Sequence, residues 1–369
     1  MPEPLKNMYN EAYIATLSDA VKTVHSNFDS EGFTHRVFDM QWESRELKDR
    51  MRHITECLNH FLPDDYSEGL AILRKAANDE ALQKLSFENM IFPDFVEVYG
   101  LDDWENSLPA LEQFTQLASA EFAVRPFIVK DSGRMMAQIL EWASHDNHHV
   151  RRLASEGCRP RLPWAMALPE FKKDPSPILP ILDLLKNDES DYVTRSVANN
   201  LNDITKDNPQ VVIDTLAKWQ KNNTKTIQWI SSHALRSMVK AGDNQALALL
   251  GYGEAQVKVE NLTISPLEVS MGEEIEFSFD LISDSDDSQA LMVDYAMHFV
   301  RANDKTSVKV FKLKKLDLAP GDTIAIRKKH SFKAISTRRY YPGTHTIAIQ
   351  VNGTVIAEAD FELLAGADN

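Results

Sequence analysis

The chain has 369 residues, with 40 Lys and Arg against 55 Asp and Glu, for a formal net charge of −15. That length exceeds the usual single-domain range. A composition 43% hydrophobic and 26% charged excludes a disordered polymer. No apolar run approaches the ~20 residues of a membrane-spanning helix, and the start Met1-Pro-Glu-Pro-Leu-Lys lacks the apolar stretch of a secretory signal. Cys57 and Cys158 form neither a Cys-x-x-Cys pair nor a disulfide framework, so a cytoplasmic location is expected. Taken alone, the acidic total argues against a nucleic-acid partner, because phosphate binding needs positive surface.

Residues 1–144 are the acidic part, with 13 basic and 25 acidic side chains. They read as helices. Apolar residues recur at three- and four-residue spacing in Leu47-Met51-Ile54-Leu58 and Leu70-Leu73-Ala76-Ala77. Turn signals stand at Leu62-Pro63-Asp64-Asp65, Asn78-Asp79 and Phe92-Pro93-Asp94. Residues 145–240 turn mildly basic, net +3, and here the chain repeats. Val193-Thr-Arg-Ser-Val-Ala-Asn-Asn-Leu201 aligns with Ile227-Gln-Trp-Ile-Ser-Ser-His-Ala-Leu235 at a shift of 34, and Val211–Leu216 falls on Gln245–Leu250 at the same shift. An earlier unit, Asp146-Asn-His-His-Val-Arg-Arg-Leu-Ala154, maps onto the segment from Asp188 to Val197. Helix pairs of this period, with Asp in the turn and Val-Arg opening the second helix, look like HEAT-type repeats. Such units stack because one pair cannot bury its own apolar face, and a stack offers a concave surface.

Leu250-Gly-Tyr-Gly253 reads as a linker, and from about residue 256 the period changes to two. Val257-Lys-Val-Glu, Glu274–Asp280, Thr323-Ile-Ala-Ile and Thr346–Val351 alternate apolar with polar residues between Gly- and Pro-rich turns. Strands at this spacing predict an antiparallel sandwich. Tyr340-Tyr341-Pro-Gly-Thr-His-Thr-Ile resembles the tyrosine corner of immunoglobulin-like folds, without their Cys-Trp-Cys hallmark. The predicted architecture is therefore multidomain: an all-α HEAT-like-repeat solenoid over residues 1–252, then an all-β immunoglobulin-like sandwich over 256–369. Charge is uneven inside the sandwich, net −11 over 241–300 and net +9 over 301–340. A bound polyanion feels such local fields more than the total, because salt screens over about 8–10 Å.

Walker A, Gly-x-Gly-x-x-Gly, His-Glu-x-x-His and Pro-Cys-x-x-Cys motifs are all missing. His145, His148 and His149 fall in a repeat's turn and helix start, where polar residues are expected anyway, so no metal site is assigned to them. Chemistry-bearing residues crowd between 121 and 203. Glu121-Phe-Ala-Val-Arg-Pro-Phe127 places an acid one turn from Arg125, before a proline that kinks or bounds a helix. Arg151 and Arg152 follow, with Arg152 and Glu156 at i and i+4. Next comes a proline-rich loop carrying Arg159, Arg161 and Trp164, and the next repeat offers Arg195 and Asp203. The plain alternative is a surface ion pair and a tryptophan packed between repeats. Against it stands their co-occurrence on adjacent repeats that line one face. An aromatic, arginines and carboxylates in one groove suit a cationic sugar-like substrate on a phosphate chain.

The segment Glu121–Phe127, together with Trp142-Ala-Ser-His-Asp-Asn-His-His-Val-Arg-Arg-Leu-Ala-Ser-Glu156 and the loop through Arg159-Pro-Arg-Leu-Pro-Trp164, resembles the signature of the AlkC family of bacterial DNA alkylation repair glycosylases. That family is a sister of AlkD among the HEAT-like-repeat DNA glycosylases. The sandwich resembles the immunoglobulin-like domain carried by one subset of it. The resemblance implies excision of N3-alkylated bases, 3-methyladenine and 3-methylcytosine, from double-stranded DNA, without a metal or other cofactor, without flipping the base and with no obligate protein partner. It implies that Glu121 and Glu156 approach the deoxyribose and that Trp164, Asp203 and Arg152 complete the site.

The chemistry fits that implication. A cationic base leaves as a neutral molecule, so the barrier lies in an oxocarbenium-like sugar, which a fixed carboxylate stabilises while orienting water. Glu156 is assigned this task first, Glu121 second and Asp203 as a further carboxylate. Trp164 would lie against the sugar or lesion. Arg152, with Arg151, Arg159, Arg161 and Arg195, would hold flanking phosphates, and the basic stretch 301–340 would let the sandwich meet DNA from the opposite side. The rival readings are a non-catalytic HEAT-repeat scaffold that binds proteins and a non-enzymatic binder of unusual DNA.

Overall fold

The computed structural model describes residues 3–222, 224–302, 305–336 and 338–366. By packing, the chain divides into two compact units, residues 1–212 with 222–234, and residues 213–221 with 235–369. The last helices therefore group with the strands, although the change from helix to strand falls between Leu249 and Val257. Among the described residues no helix is long and apolar enough to cross a membrane.

The first unit is helical. The repeat read from sequence corresponds to three second helices packed in series, His148–Gly157, Asp191–Ile204 and Lys225–Ala234. Each buries a stripe at helical spacing: Val150, Leu153 and Ala154; Val193, Val197 and Leu201; Ile227, Ile230 and Ala234. A clasp joins the first two of these repeats. Arg151 donates from Nε to Asp188 Oδ2 at 2.6 Å and from Nη2 to Oδ1 at 3.0 Å, while its Nη1 donates to the His145 and Asp146 carbonyls. Asp188 also accepts the Ser190 N–H at 2.9 Å, so one carboxylate closes its own turn and holds the preceding repeat.

Two of the three early turn signals fall between helices, after Leu47–Phe61 and after Tyr66–Ala76. The third does not. Phe92-Pro93-Asp94 lies within helix Ile91–Tyr99, where Pro93 occupies the first turn. Proline is tolerated there because that turn's N–H groups have no intrahelical acceptor.

In the second unit, strands β1 (Val257–Ser265), β2 (Glu268–Ser270), β3 (Glu274–Ser283), β4 (Gln289–Val300), β5 (Thr306–Leu318), β6 (Thr323–Ser331), β7 (Gly343–Val351) and β8 (Thr354–Leu364) form two sheets. Their orders are β1-β3-β6 and β2-β8-β7-β4-β5. Pairing is antiparallel except for β2 on β8, which is parallel and departs from the wholly antiparallel expectation. The core interleaves Ile275, Phe277, Phe279 and Leu281 of β3 with Leu291, Val293, Tyr295, Met297 and Phe299 of β4 and Ile347 and Ile349 of β7.

The Asn352-Gly353 turn joins β7 to β8 with φ of 45° and 79°, the left-handed pair that a two-residue hairpin requires. Asn352 Nδ2 also donates to the Gly253 carbonyl at 2.8 Å, which ties the linker to the sheet. A Cβ on Gly242 would meet the Gly353 carbonyl oxygen at 2.7 Å, so two glycines permit this backbone contact.

Candidate active site

A cleft of about 390 Å³ opens in the helical unit. Its walls come from the segment Ser119–Phe122, helix His148–Gly157, the strap Leu162–Trp164 and Tyr192 at the start of helix Asp191–Ile204. Asn147 fixes the entry to the central helix, accepting the His149 N–H at 2.8 Å and so setting where Arg152 and Glu156 project.

Arg152 stands between two carboxylates. Its Nη1 lies 2.5 Å from Glu121 Oε2 and 2.7 Å from Ser119 Oγ, and its Nη2 lies 3.5 Å from Glu156 Oε1. Its guanidinium also covers the Tyr192 ring at 4.6 Å. Arg159 binds Glu156 Oε1 at 2.6 Å through Nη1 and Asp203 Oδ2 at 2.8 Å through Nε. Ser196 Oγ donates to Glu156 Oε2 at 2.6 Å. Both oxygens of Glu156 are thus held, and the residue is 4% exposed. Glu121 is half-buried, and its Oε1 makes no hydrogen bond among the described residues. The hydrogen bonding distinguishes the two carboxylates that line the cleft: Glu121 has an oxygen without a hydrogen-bond partner among the described residues and Glu156 does not.

Burial lowers the affinity of Arg152 and Arg159 for their protons, but the surrounding carboxylates raise both above the ordinary arginine value, so both stay charged. Burial pushes the Asp203 carboxyl up, against the pull of Arg159.

Trp164 is 65% exposed and lines the cleft, which excludes a tryptophan plug between repeats. Its φ of 64° is left-handed, a conformation that costs an L-residue roughly 1–2 kcal/mol. The strap carrying it is pinned from below by Arg125. That guanidinium is fully buried and donates to the carbonyls of Met166 at 2.7 Å, Gly157 at 2.9 Å and Arg159 at 2.9 Å. Burial lowers its pKa to about 10, so it keeps its proton at neutral pH.

Five of the sequence candidates, Glu121, Arg152, Glu156, Arg159 and Asp203, share this network, and Trp164 lines the same cleft. The other arginines do not join it. Arg151, expected to hold a flanking phosphate, is engaged by the Asp188 clasp and is mostly buried. Arg152 and Arg159 are likewise engaged by carboxylates inside the cleft. Arg161 pairs with Asp207 through two contacts of 2.9 and 2.7 Å and is partly exposed. Arg195 is exposed, at the position in its repeat that Arg152 holds in the preceding one.

Sequence reasoning missed Ser119, Phe122, Tyr192 and Ser196. Only Tyr192 had a signal, since it precedes Val193 as His149 precedes Val150. Behind the network, Cys158 is wholly buried, with Asn200 Nδ2 3.5 Å from its sulfur.

Residues 112–238 match the model of the DNA alkylation repair enzyme family, and residues 258–365 match the C-terminal Ig-like domain of the YhaZ family. The chain is 44% identical over 360 residues to the uncharacterized protein YhaZ of Bacillus subtilis (strain 168), covering 97% of this chain and 99% of that one. Among solved structures it is similar to the alkylpurine DNA glycosylase AlkC of Pseudomonas fluorescens, bound to DNA containing an abasic site analog. The TM-score is 0.92 at 39% identity, covering 98% of this chain and 100% of the other.

Proposed function

From the premise that the chain belongs to the AlkC-type family of DNA alkylation repair proteins with a C-terminal immunoglobulin-like domain, we propose that it is a DNA glycosylase of base excision repair. Its substrates are bases made cationic by N3 alkylation, 3-methyladenine and 3-methylcytosine. The observation that carries this reading is the open oxygen of Glu121 on a cleft whose other rim is an exposed tryptophan.

An N3-alkylated base already carries the positive charge that a general acid would otherwise supply. Cleavage of the N-glycosidic bond returns the bonding electron pair to the ring, which departs as a neutral base, and leaves the positive charge on the sugar, where water then adds and gives up a proton. What the enzyme must supply is a fixed negative group beside C1′ and a held water. Glu121 meets both needs. Arg152 and Ser119 fix its Oε2, which leaves Oε1 to face the sugar or the water. Glu156, locked by Arg159 and Ser196, holds Arg152 from the other side and keeps Glu121 from rotating away. Asp203 completes this support through Arg159. Trp164 lies against the lesion nucleotide, where its ring face attracts the cation. Its exposure supports reaction on a nucleotide reached at the rim, without a flipped base in a closed pocket. Arg161 and Arg195, at the surface, remain the candidates for phosphate contact.

Glu121→Gln and Glu156→Gln test this assignment. Each should lower release of 3-methyladenine from methylated duplex by about 10²–10³-fold, the usual cost of one preorganised electrostatic group. Binding of abasic duplex should stay near the wild-type value. Near-normal release by both variants would remove the carboxylates from the chemistry.

A further inference from the structure

Lys48 stands in the first turn of helix Leu47–Phe61, and among the described residues no side chain of that helix lines the cleft. Yet its ammonium reaches two segments that do. Nζ donates to the Trp164 carbonyl at 2.9 Å and lies 4.8 Å from the centroid of the Phe122 ring. No carboxylate comes within ion-pair distance of it among the described residues: Glu97 feels its charge at longer range, and its direct contacts are this carbonyl and this ring.

The contact falls on a residue that needs holding. Trp164 is left-handed and mostly exposed, so neither intrinsic preference nor burial keeps it in place. Arg125 pins the strap at Gly157, Arg159 and Met166, and the Leu168 N–H returns to the Pro160 carbonyl at 3.1 Å. These bonds fix the base of the strap, and its apex is closed only by a long turn bond from the Ala165 N–H to the Leu162 carbonyl at 3.4 Å. Lys48 supplies the one side-chain bond to the backbone of Trp164 among the described residues.

We propose that Lys48 is a positioning residue of this site. By tying the Trp164 carbonyl to the face of Phe122, it sets how far the indole stands from the Glu121 segment and hence how the indole meets the lesion nucleotide. This rests on the reading of Trp164 as a lesion contact. Lys48 does not touch the reacting atoms and acts only through Trp164.

A double-mutant cycle tests it, using Lys48→Met, Trp164→Ala and the pair, in single-turnover release of 3-methyladenine from methylated duplex. Lys48→Met alone should slow release about tenfold, in the range that a small misplacement costs. It should leave the salt dependence of abasic-duplex binding unchanged, and Lys48→Arg should restore most of the rate. In the Trp164→Ala background the same change should do nothing. Additive losses would overturn the proposal. So would a normal rate with the salt slope reduced by about one, which would make Lys48 a phosphate ligand.

A readout independent of activity separates this inference from the glycosylase reading. In protein labelled with 5-fluorotryptophan, loss of one ¹⁹F signal in Trp164→Phe assigns that residue among the six tryptophans. Lys48→Met should shift and broaden that signal and leave the others in place. If the wild-type protein releases no base, the proposed function fails while this signal still reports on Lys48. An unmoved signal overturns the positioning role whatever the activity.

Discussion

Trp164 holds a backbone conformation that glycine adopts freely, and most of its side chain lies outside any packing. Trp164→Gly should therefore leave stability within about 1 kcal/mol of the wild type, because relief of strain offsets the added freedom of the unfolded chain. A buried tryptophan cut to a small residue would cost about 3–5 kcal/mol. Base release should fall more than tenfold in the same variant. A denaturant melt beside a release assay checks both halves. At this scale the sequence shows residue types and misses partners. Spacing reveals Arg152 with Glu156, but that contact of 3.5 Å is the looser of the pair. The tight one, to Glu121, crosses 31 positions and depends on how the Ser119–Phe122 segment is laid against helix His148–Gly157. Local periodicity carries no information on that packing.

Whole elements were more legible than side-chain partners. The repeat is visible because each second helix must present the same apolar stripe to its neighbour. The strands are visible because a sandwich strand alternates between core and solvent. Phe92-Pro93-Asp94 misled because proline marks a turn and the first turn of a helix equally well. Within the sandwich, β6 carries a feature that no pattern displays. His330 is buried among Phe299, Phe311 and Phe332, with Nδ1 at 2.8 Å from the Tyr295 hydroxyl and Nε2 without a partner among the described residues.

Burial lowers the His330 pKa from 6.5 to about 4, with Arg338, Lys309, His345 and Lys328 adding to it. The folded state thus prefers the neutral ring, while the unfolded chain takes up a proton below about 6.5. The stability this confers is complete above that value and is lost as pH falls toward 4, by about 3 kcal/mol in all. The sandwich should melt at progressively lower temperature between pH 7 and pH 4.5 in circular dichroism. His330→Gln, which keeps a polar partner for Tyr295 and does not titrate, should flatten that dependence. A slope equal to the wild type's would place the titrating group elsewhere.

For the molecule as a whole, the net charge of −15 proves a poor guide to partners. The run 301–340 lies largely on β5 and β6, each at the edge of its sheet. Lysines on an edge also discourage strand addition by another chain, so their presence alone does not announce DNA. Part of the run is matched across the sheet, Arg327 by Glu276 and Lys329 by Glu274 on β3, which the sequence could not show because those acids lie some fifty positions earlier. Lys312 and Lys314 on β5 are exposed and make no ion pair among the described residues. If this strand meets phosphate, Lys312→Gln with Lys314→Gln should reduce the slope of log K against log salt by about 0.9 for each contact removed. An unchanged slope would take the strand out of the interface.

Cys57 and Cys158, the two cysteines of the chain, are both buried and free. Burial pushes the Cys57 thiol up to about 11 and the Cys158 thiol up to about 12. The thiolate is the form that electrophiles attack, and at neutral pH neither residue supplies it in any quantity. The proposed task places the protein among the very methyl donors that damage DNA. Burial and protonation state should therefore slow methylation of both thiols by those reagents relative to an exposed cysteine.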